Sequence, residues 1–349
     1  MIRVLVIDDS AVMRAFLGRV VGSQPDMELV GVSPDPLLAM DRIRRSTPDV
    51  ITLDVEMPRM NGLDFLRKLM AVRPLPVIMI SSLTRQGAET TMRALELGAV
   101  DFFPKPSSYD ELEEGAHEIA DKIRAAAAAR VVRHKASVSA RPPSPARPPV
   151  PAGLAAGPAA LDRIIGIGAS TGGVEALRDL LTELPPDSPP ILIAQHMPPG
   201  FTETFARRLD SICKITVKQA DDGEVVRHGV AYIAPGGRHL MLSRRGSGYV
   251  LRVTDDPPVN RHRPSVDPLF RSIAKAAGAD AIGVMLTGMG GDGAEAMLEM
   301  SRAGAHTIAQ DEASCVVFGM PRQAIAVGAV REVLPLAEMA QRLTSLSAR

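Results

Sequence analysis

The sequence predicts an α/β protein of two domains. The first is an N-terminal doubly wound (βα)5 unit with a five-stranded parallel sheet. The second is a C-terminal, mainly parallel α/β sheet unit with an antiparallel β-hairpin insertion. Three observations predict this. A chain of 349 residues is long enough for two cores. Apolar runs of strand length alternate with helix-period segments in both halves, the signature of parallel sheets flanked by helices. Between the halves, residues 125–158 hold no acidic residue, five Lys or Arg, and many Ala, Pro and Ser. Such a segment favours extended polyproline-type backbone and has no core to build, so it reads as a linker; a basic docking strip is the lesser alternative. The expected limits are 1–122, a linker at 123–160, and 161–349.

In the first half the apolar runs are IRVLVI (2–7), MELVGVS (27–33), VITLD (50–54), VIMIS (77–81) and AVDFF (99–103), with AVMRAFLGRVV and AETTMRALELG among the helical patterns. In the second half they are RIIGIG (163–168), ILIAQH (191–196), GVAYIA (229–234), HLMLS (239–243), YVLRV (249–253), AIGVML (281–286) and HTIAQD (306–311). The stretch 229–253, punctuated by PGG and RRGSG, reads as a β meander.

Composition excludes several function classes. Net charge is zero, hydrophobic residues are 46% and charged residues 23%, which argues against nucleic-acid binding. No apolar run approaches the ~20 residues of a membrane span. The opening MIRVLVIDDS meets acid at its eighth residue and reads as a strand, not a signal peptide. Two cysteines, Cys213 and Cys315, without metal-type spacing, fit a reduced cytoplasmic protein.

The N-terminal strands all end in polar residues. Asp8 and Asp9 close the first, Asp54 the third, Ser81 the fourth and Lys105 the fifth. In a sheet of order 2-1-3-4-5 the first and third strands are neighbours, and ligands bind beyond their carboxyl ends. Three carboxylates there repel one another unless a hard cation bridges them, and Mg2+ suits oxygen ligands. A carboxylate beside it can attack phosphorus. Any one of these residues alone reads as a polar strand end; five at one rim do not. VIDDS, LDVEMPRMNG, ISS and PKP resemble the response-regulator receiver domain over residues 1–122. The resemblance implies Asp54 as phosphoacceptor and Mg2+ held by Asp9, Asp54 and the Glu56 backbone carbonyl, with Asp8 assisting. It also implies phosphoryl contacts from Ser81 and Lys105, and a signalling aromatic at Phe102.

The turn IIGIGASTGG (164–173) follows a strand and precedes the helical EALRDLLTEL. It is not a dinucleotide loop. Thr171 stands where that fingerprint needs glycine, the next strand ends in Gln195-His196 in place of an acid, and no P-loop lysine is present. Two readings stay open: Ser170 or Thr171 caps the helix, or Ser170 is a nucleophile beside a helix N-terminus that favours negative charge. A nucleophilic serine needs a base and an orienting acid. Of seven histidines, His117 and His134 fall in or near the linker, and His228, His239, His262 and His306 at turns or strand starts. Only His196 ends an apolar strand, the one after the Ser170 helix, and so shares its rim. The third group is Asp292, in a loop with four glycines among residues 288–293; a plain N-cap of the next helix is its alternative. The Met289 N–H and the Thr171 region are the candidate oxyanion side. The pattern predicts acyl transfer to water.

GASTGG, AQHMPPGFTETFARRL, APGGRHL, RPSVDPLF, MLTGMGGDGAEAM and QDEASCVVFGMP resemble the catalytic domain of the chemotaxis protein-glutamate methylesterase/glutaminase family (CheB). With the receiver-like half, the resemblance spans nearly the whole chain; the long Pro-rich linker is the main departure. It implies hydrolysis of glutamate γ-methyl esters on methyl-accepting chemotaxis receptors, deamidation of certain receptor glutamines, and a chemotaxis histidine kinase as phosphodonor. No cofactor is implied for the catalytic domain. A further expectation is that the unphosphorylated receiver packs over the Ser170 rim and limits access. His239 and Arg263 lie in family motifs without an assigned role. A phosphorylation-controlled docking module and an esterase for another protein ester are the competing readings.

Overall fold

The computed structural model describes residues 1–57, 60–106, 109–129 and 163–347. The chain divides into two compact units, Met1–Ser137 and Val138–Arg349. In the first, the elements are β1 (Ile2–Ile7), α1 (Ala11–Gly22), β2 (Met27–Ser33), α2 (Pro36–Ser46), β3 (Val50–Asp54), α3 (Gly62–Val72), β4 (Val77–Ser81), α4 (Arg85–Glu96), β5 (Asp101–Pro104) and α5 (Tyr109–Ala128). The sheet order is β2-β1-β3-β4-β5, all parallel, as the alternating pattern predicts. β3 and β4 are buried along their whole length, which is why they read as unbroken apolar runs. Helix starts are capped by side chains the sequence supplies: Ser10 accepts from the Met13 N–H, Asn61 from Asp64 and Thr84 from Gly87.

The second unit holds β6 (Ile164–Ala169), α6 (Gly173–Glu183), β7 (Ile191–Gln195), α7 (Phe201–Asp210), β8 (Thr216–Gln219), β9 (Val230–Ile233), β10 (His239–Arg245), β11 (Gly248–Thr254), α8 (Val266–Ala277), β12 (Ala281–Met285), α9 (Ala294–Arg302), β13 (His306–Gln310), α10 (Met320–Ala326), β14 (Glu332–Leu334) and α11 (Leu336–Ser347). Seven strands form one sheet in the order β14-β13-β12-β6-β7-β9-β8, with every pair parallel. β10 and β11 form a separate antiparallel hairpin. Its buried Leu240, Leu242, Tyr249 and Leu251 share a core with Phe270 and Ile273 of α8, and Ser272 Oγ of α8 accepts from the Leu242 N–H at 2.9 Å.

Three expectations need correction. The meander read across 229–253 does not exist as one unit: β9 lies inside the main sheet, parallel to β7 and β8, and only 239–254 is the hairpin. The residues explain it, since VAYI is nearly continuous in burial, as a parallel strand is, while β10 and β11 alternate. The linker expected from 123 starts too early, because α5 runs to Ala128. The strands β8 and β14, unforeseen in sequence, are short and lie at the two sheet edges. Residues 130–162, with His134 and the Pro-rich segment, lie outside the described residues, as do Pro58 and Arg59.

Candidate functional site

At the N-terminal rim, β1 and β3 are register neighbours and bring Asp8, Asp9 and Asp54 together. One ligand atom from each lies within 4.8 Å of the others. Asp8 and Asp54 are fully buried. Lys105 Nζ lies 2.7 Å from Asp54 Oδ2 and 3.7 Å from Asp8 Oδ2. Asp54 Oδ1 accepts from the Glu56 N–H at 3.1 Å, Asp8 Oδ1 from the Ser10 N–H at 2.8 Å, and Arg14 donates to the carbonyls of Asp8 and Asp9. Burial, reinforced by the neighbouring Asp8 charge, pushes Asp54 up to about 7 against the pull of Lys105. Burial also raises Asp8. Lys105 is raised by Asp54, Asp8 and Asp9, although its own burial is the largest single influence and opposes them.

One lysine faces three carboxylates, and the buried Asp8 Oδ2 accepts no hydrogen bond among the described residues. An all-oxygen donor set with such surplus negative charge fits a hard divalent cation. Ser81 ends β4 at the same rim, but its hydroxyl is engaged with α4: it accepts from Thr91 Oγ1 at 2.7 Å and lies 3.2 Å from Gly87 O. Its carbonyl accepts from the Lys105 N–H at 2.7 Å. Phe102 is buried on β5 opposite Met79, with Lys122 Nζ 5.8 Å from its ring centroid.

In the second unit the central strands β12, β6 and β7 run parallel, so the loops after them meet at one rim. Ser170 follows β6, His196 follows β7 and Asp292 lies in the loop after β12. Ser170 Oγ is 3.1 Å from His196 Nδ1, and His196 Nε2 is 2.8 Å from Asp292 Oδ2. A carboxylate only accepts, so Nε2 carries the proton and the Nδ1 lone pair faces the serine hydroxyl. The two ring nitrogens are used in the reverse sense to the serine-protease template.

Neither Ser170 nor Thr171 caps α6, the expectation left open in sequence. The cap residue is Gly172 at φ 78°, without a side-chain bond. The Ser170 hydroxyl is thereby left to His196. The Thr171 carbonyl accepts from Thr287 Oγ1 at 3.0 Å, and the Ser170 N–H donates to Thr287 O at 3.1 Å. Gln195 donates from Nε2 to the carbonyls of both Ser170 and His196, at 3.0 and 3.1 Å, tying the two segments together. A Cβ on Gly288 would stand 2.7 Å from Ser170 Cβ and collide with Met320 Sδ. Glycine there lets the β12 loop close onto the serine.

Asp292 does not cap α9 either; Gly293, at φ 84°, begins that helix. Its carboxylate sits at the start of α8. Oδ2 accepts from the Val266 N–H at 2.7 Å as well as from His196, and Oδ1 accepts from Asn260 Nδ2 and Ser265 Oγ, both at 2.7 Å. Asp267, in the first turn of α8, reciprocates by accepting from the Gly293 N–H at 3.1 Å. Burial alone would raise the Asp292 carboxyl. His196, Asn260 and Val266 outweigh it and hold the group well below the usual carboxylate range, so it is ionised at any working pH. His239 is a brace: Nε2 faces Pro257 O at 3.1 Å and Nδ1 accepts from the Ser265 N–H at 3.3 Å. Arg263 Nη1 donates to the carbonyls of Asp255 and Asp256 at 3.3 Å.

Asn260, Ser265, Val266 and Gln195 are the site residues that sequence reading missed. Ser265 stands directly before the amphipathic α8 and caps it, its Oγ accepting from the Asp267 N–H. Both cysteines are free, and burial pushes each thiol up to about 12, so neither is a thiolate at neutral pH. No helix among the described residues is long and apolar enough to cross a membrane.

The family model of the CheB methylesterase matches residues 165–343, and that of the response regulator receiver domain matches residues 4–117. A protein-glutamate methylesterase/protein-glutamine glutaminase of Burkholderia lata is 57% identical over 347 residues, covering 98% of this chain and 94% of that protein. One from Paraburkholderia xenovorans is 56% identical over 349 residues, covering 98% and 95%. The crystal structure of the Thermotoga maritima CheB methylesterase catalytic domain superposes with a TM-score of 0.52 at 41% identity, covering 53% of this chain and 98% of that one. With two matched domains and relatives alike along nearly its whole length, this chain belongs to the CheB family of methylesterases with an N-terminal response regulator receiver domain.

Proposed function

We propose that the protein is a phosphorylation-activated hydrolase of the cytoplasm. It removes methyl groups from glutamate γ-methyl esters of methyl-accepting chemotaxis receptors and deamidates specific receptor glutamines. The observation that carries the chemistry is the hydrogen-bonded series Ser170, His196, Asp292 at one rim of a parallel sheet. The substrate assignment rests on the relatives' names. The domain limits we propose are 161–349 for the hydrolase and, for the receiver, 1–122 extended to the end of α5 at Ala128.

Ser170 Oγ attacks the ester carbonyl carbon and passes its proton to His196 Nδ1. Asp292 stabilises the imidazolium through Nε2. The Met289 N–H donates no hydrogen bond among the described residues, and with the Thr171 segment it forms the side that receives the oxyanion. The carbon–methoxy bond breaks, and His196 returns the proton to the leaving oxygen, releasing methanol. Water, deprotonated by the same ring, then frees the acid and restores Ser170. An amide follows the same route and releases ammonia. Receptors bearing labelled methyl esters should release volatile methanol; if only small soluble esters are cleaved, the substrate assignment is wrong.

In the receiver, Asp54 takes the phosphoryl group of a chemotaxis histidine kinase. The phosphorus–nitrogen bond breaks as a phosphorus–oxygen bond forms at the carboxylate. Lys105 holds the new charge, and Ser81 leaves its Thr91 contact to meet a phosphoryl oxygen, changing the face near Phe102. Asp9, Asp54 and the Glu56 carbonyl would hold Mg2+, with Asp8 assisting; when bound, it would neutralise charge on the carboxylates and the incoming phosphoryl oxygens.

Two further outcomes follow. Asp54 has a raised pKa in the folded state, so the metal-free receiver loses stability as pH rises from the unfolded value of 3.8 to about 7, where the buried group ionises. Mg2+ binds the ionised form. Its stabilisation of the receiver against heat should therefore be larger at pH 8 than at pH 6; equal shifts would show that Asp54 is not a ligand. Gly288→Ala should lower hydrolysis by about 100-fold, because the added methyl displaces Ser170, while the unfolding curve of the receiver keeps its midpoint. Near-normal turnover would mean that this close approach is not needed.

A further inference from the structure

The Gly288–Met289 peptide is held from its carbonyl end. Gly288 O accepts two hydrogen bonds, from the Gly319 N–H at 3.0 Å and the Met320 N–H at 2.8 Å, so both of its lone pairs are used. In a planar trans peptide the N–H points opposite to the carbonyl. The Met289 N–H therefore faces away from Gly319 and Met320, and it donates no hydrogen bond among the described residues. A peptide that begins at glycine turns over at little steric cost unless its carbonyl is held. Turned over, it would offer a developing oxyanion a carbonyl oxygen in place of a donor. We propose that Gly319 is a positioning residue for hydrolysis: by letting residues 317–320 lie against the loop after β12, it fixes the Met289 N–H in the orientation that receives the oxyanion. The proposal rests on the assignment of Ser170 as nucleophile and of the Met289 N–H as oxyanion donor.

The sheet prepares this contact. β12 and β13 are parallel neighbours, so the loops that follow them leave at one rim. There the two loops are joined bond by bond. The Val317 N–H donates to Thr287 Oγ1 at 2.9 Å, the Gly288 N–H donates to Val317 O at 3.1 Å, and Gly288 pairs with Phe318 as a parallel bridge. Thr287 is itself fully buried and bound to the serine turn, through Thr171 O and the Ser170 N–H. The segment after β13 supplies no reacting group, yet it braces both the oxyanion loop and, through Thr287, the nucleophile. Gly319 is glycine for contact and not for conformation, since its φ of −108° lies outside the left-handed region. A Cβ there would stand 2.6 Å from Gly288 O, 3.0 Å from Gly290 N and 3.0 Å from Met289 Cα. All three are backbone atoms of the oxyanion loop, so the loop itself would have to move.

The test uses the full-length protein with Mg2+ and phosphodonor. Gly319→Ala should lower kcat for methanol release from methylated receptors about 100-fold with little change in KM, the loss expected when one oxyanion donor is removed. The second readout is the substrate carbonyl itself. A p-nitrophenyl ester carrying 13C at its carbonyl acylates Ser170, and the acyl-enzyme, trapped at acid pH, gives the carbonyl stretch by isotope-edited infrared difference. A hydrogen bond from the Met289 N–H lowers that frequency, and Gly319→Ala should raise it towards the value of the unfolded acyl-enzyme. Replacing Met320 by its α-hydroxy acid keeps the side chain, adds no bulk and removes one of the two donors to Gly288 O. It should lower kcat about 3- to 10-fold, the worth of one hydrogen bond, and raise the stretch by a smaller step. That variant decides even if the Ala variant folds poorly. Wild-type kcat in either variant, or a lowered rate with an unchanged stretch, overturns the positioning role alone. Ser170→Ala runs beside them. If it still hydrolyses receptors, or if the wild-type acyl-enzyme has one carbonyl frequency folded and unfolded, the nucleophile or oxyanion assignment fails and this inference with it.

Discussion

Ser170→Ala is expected to abolish methanol and ammonia release, by about four orders of magnitude or more, while leaving phosphorylation of Asp54 unchanged. The size of the effect follows from the site's construction. His196 Nδ1 has its lone pair aimed at one hydroxyl 3.1 Å away, and the remaining four donors to Asp292 and its neighbours serve only to hold the ring and its charge. Without the hydroxyl there is no atom to form the acyl intermediate, and general-base attack by water would have to use a geometry set for a side chain. The fold should survive, because the Ser170 backbone bonds to Thr287 and Gln195 use main-chain atoms. Comparison of unfolding midpoints checks this, and radiolabelled methanol capture reads the activity. A variant retaining more than a few per cent of the rate would place the nucleophile elsewhere.

Asp54→Asn should remove activation by phosphodonor while leaving the basal hydrolase rate in place. Asp54 is the carboxylate nearest Lys105, at 2.7 Å, and the group whose ionisation burial has pushed up to about 7. An amide there cannot form the acyl phosphate. It also removes one of three carboxylates and lowers the demand for a divalent cation. Two readouts separate the parts of the claim. Phosphoryl incorporation from acetyl phosphate should vanish, and the Mg2+-dependent rise in thermal stability should shrink. Full activation in this variant would remove Asp54 from the control of the hydrolase.

Much of this arrangement was readable in the chain because parallel sheets gather strand ends. Ser170, His196 and Asp292 each follow an apolar run, and β6, β7 and β12 are adjacent, so one rim was enough to predict their meeting. The same logic brought Asp8, Asp9, Asp54 and Lys105 together. What stayed hidden depends on contacts distant in sequence. Asn260 bonds to an acid 32 positions later, and His262, at a turn 66 positions on in the chain, stacks on His196 with ring centroids 3.7 Å apart. The helix caps, open in the sequence, are settled by glycines. Gly172 and Gly293 start their helices in left-handed conformations, which frees the adjacent Ser170 and Asp292 for one another's partner. Asp292 then caps a different helix, α8, through the Val266 N–H, a pairing that no local pattern encodes. β9 was drawn into a meander by its closeness in sequence to the β10–β11 hairpin, although its partners are β7 and β8.

A phosphoryl group on Asp54 should govern ester hydrolysis at Ser170. That control is tested most directly by the rate of methanol release from methylated chemotaxis receptors, measured with Mg2+ before and after adding a phosphodonor. Slow basal release should rise on phosphodonor addition in the wild type, stay basal in Asp54→Asn, and be absent in Ser170→Ala. Release that ignores the phosphodonor, or no release from methylated receptors at all, would contradict it.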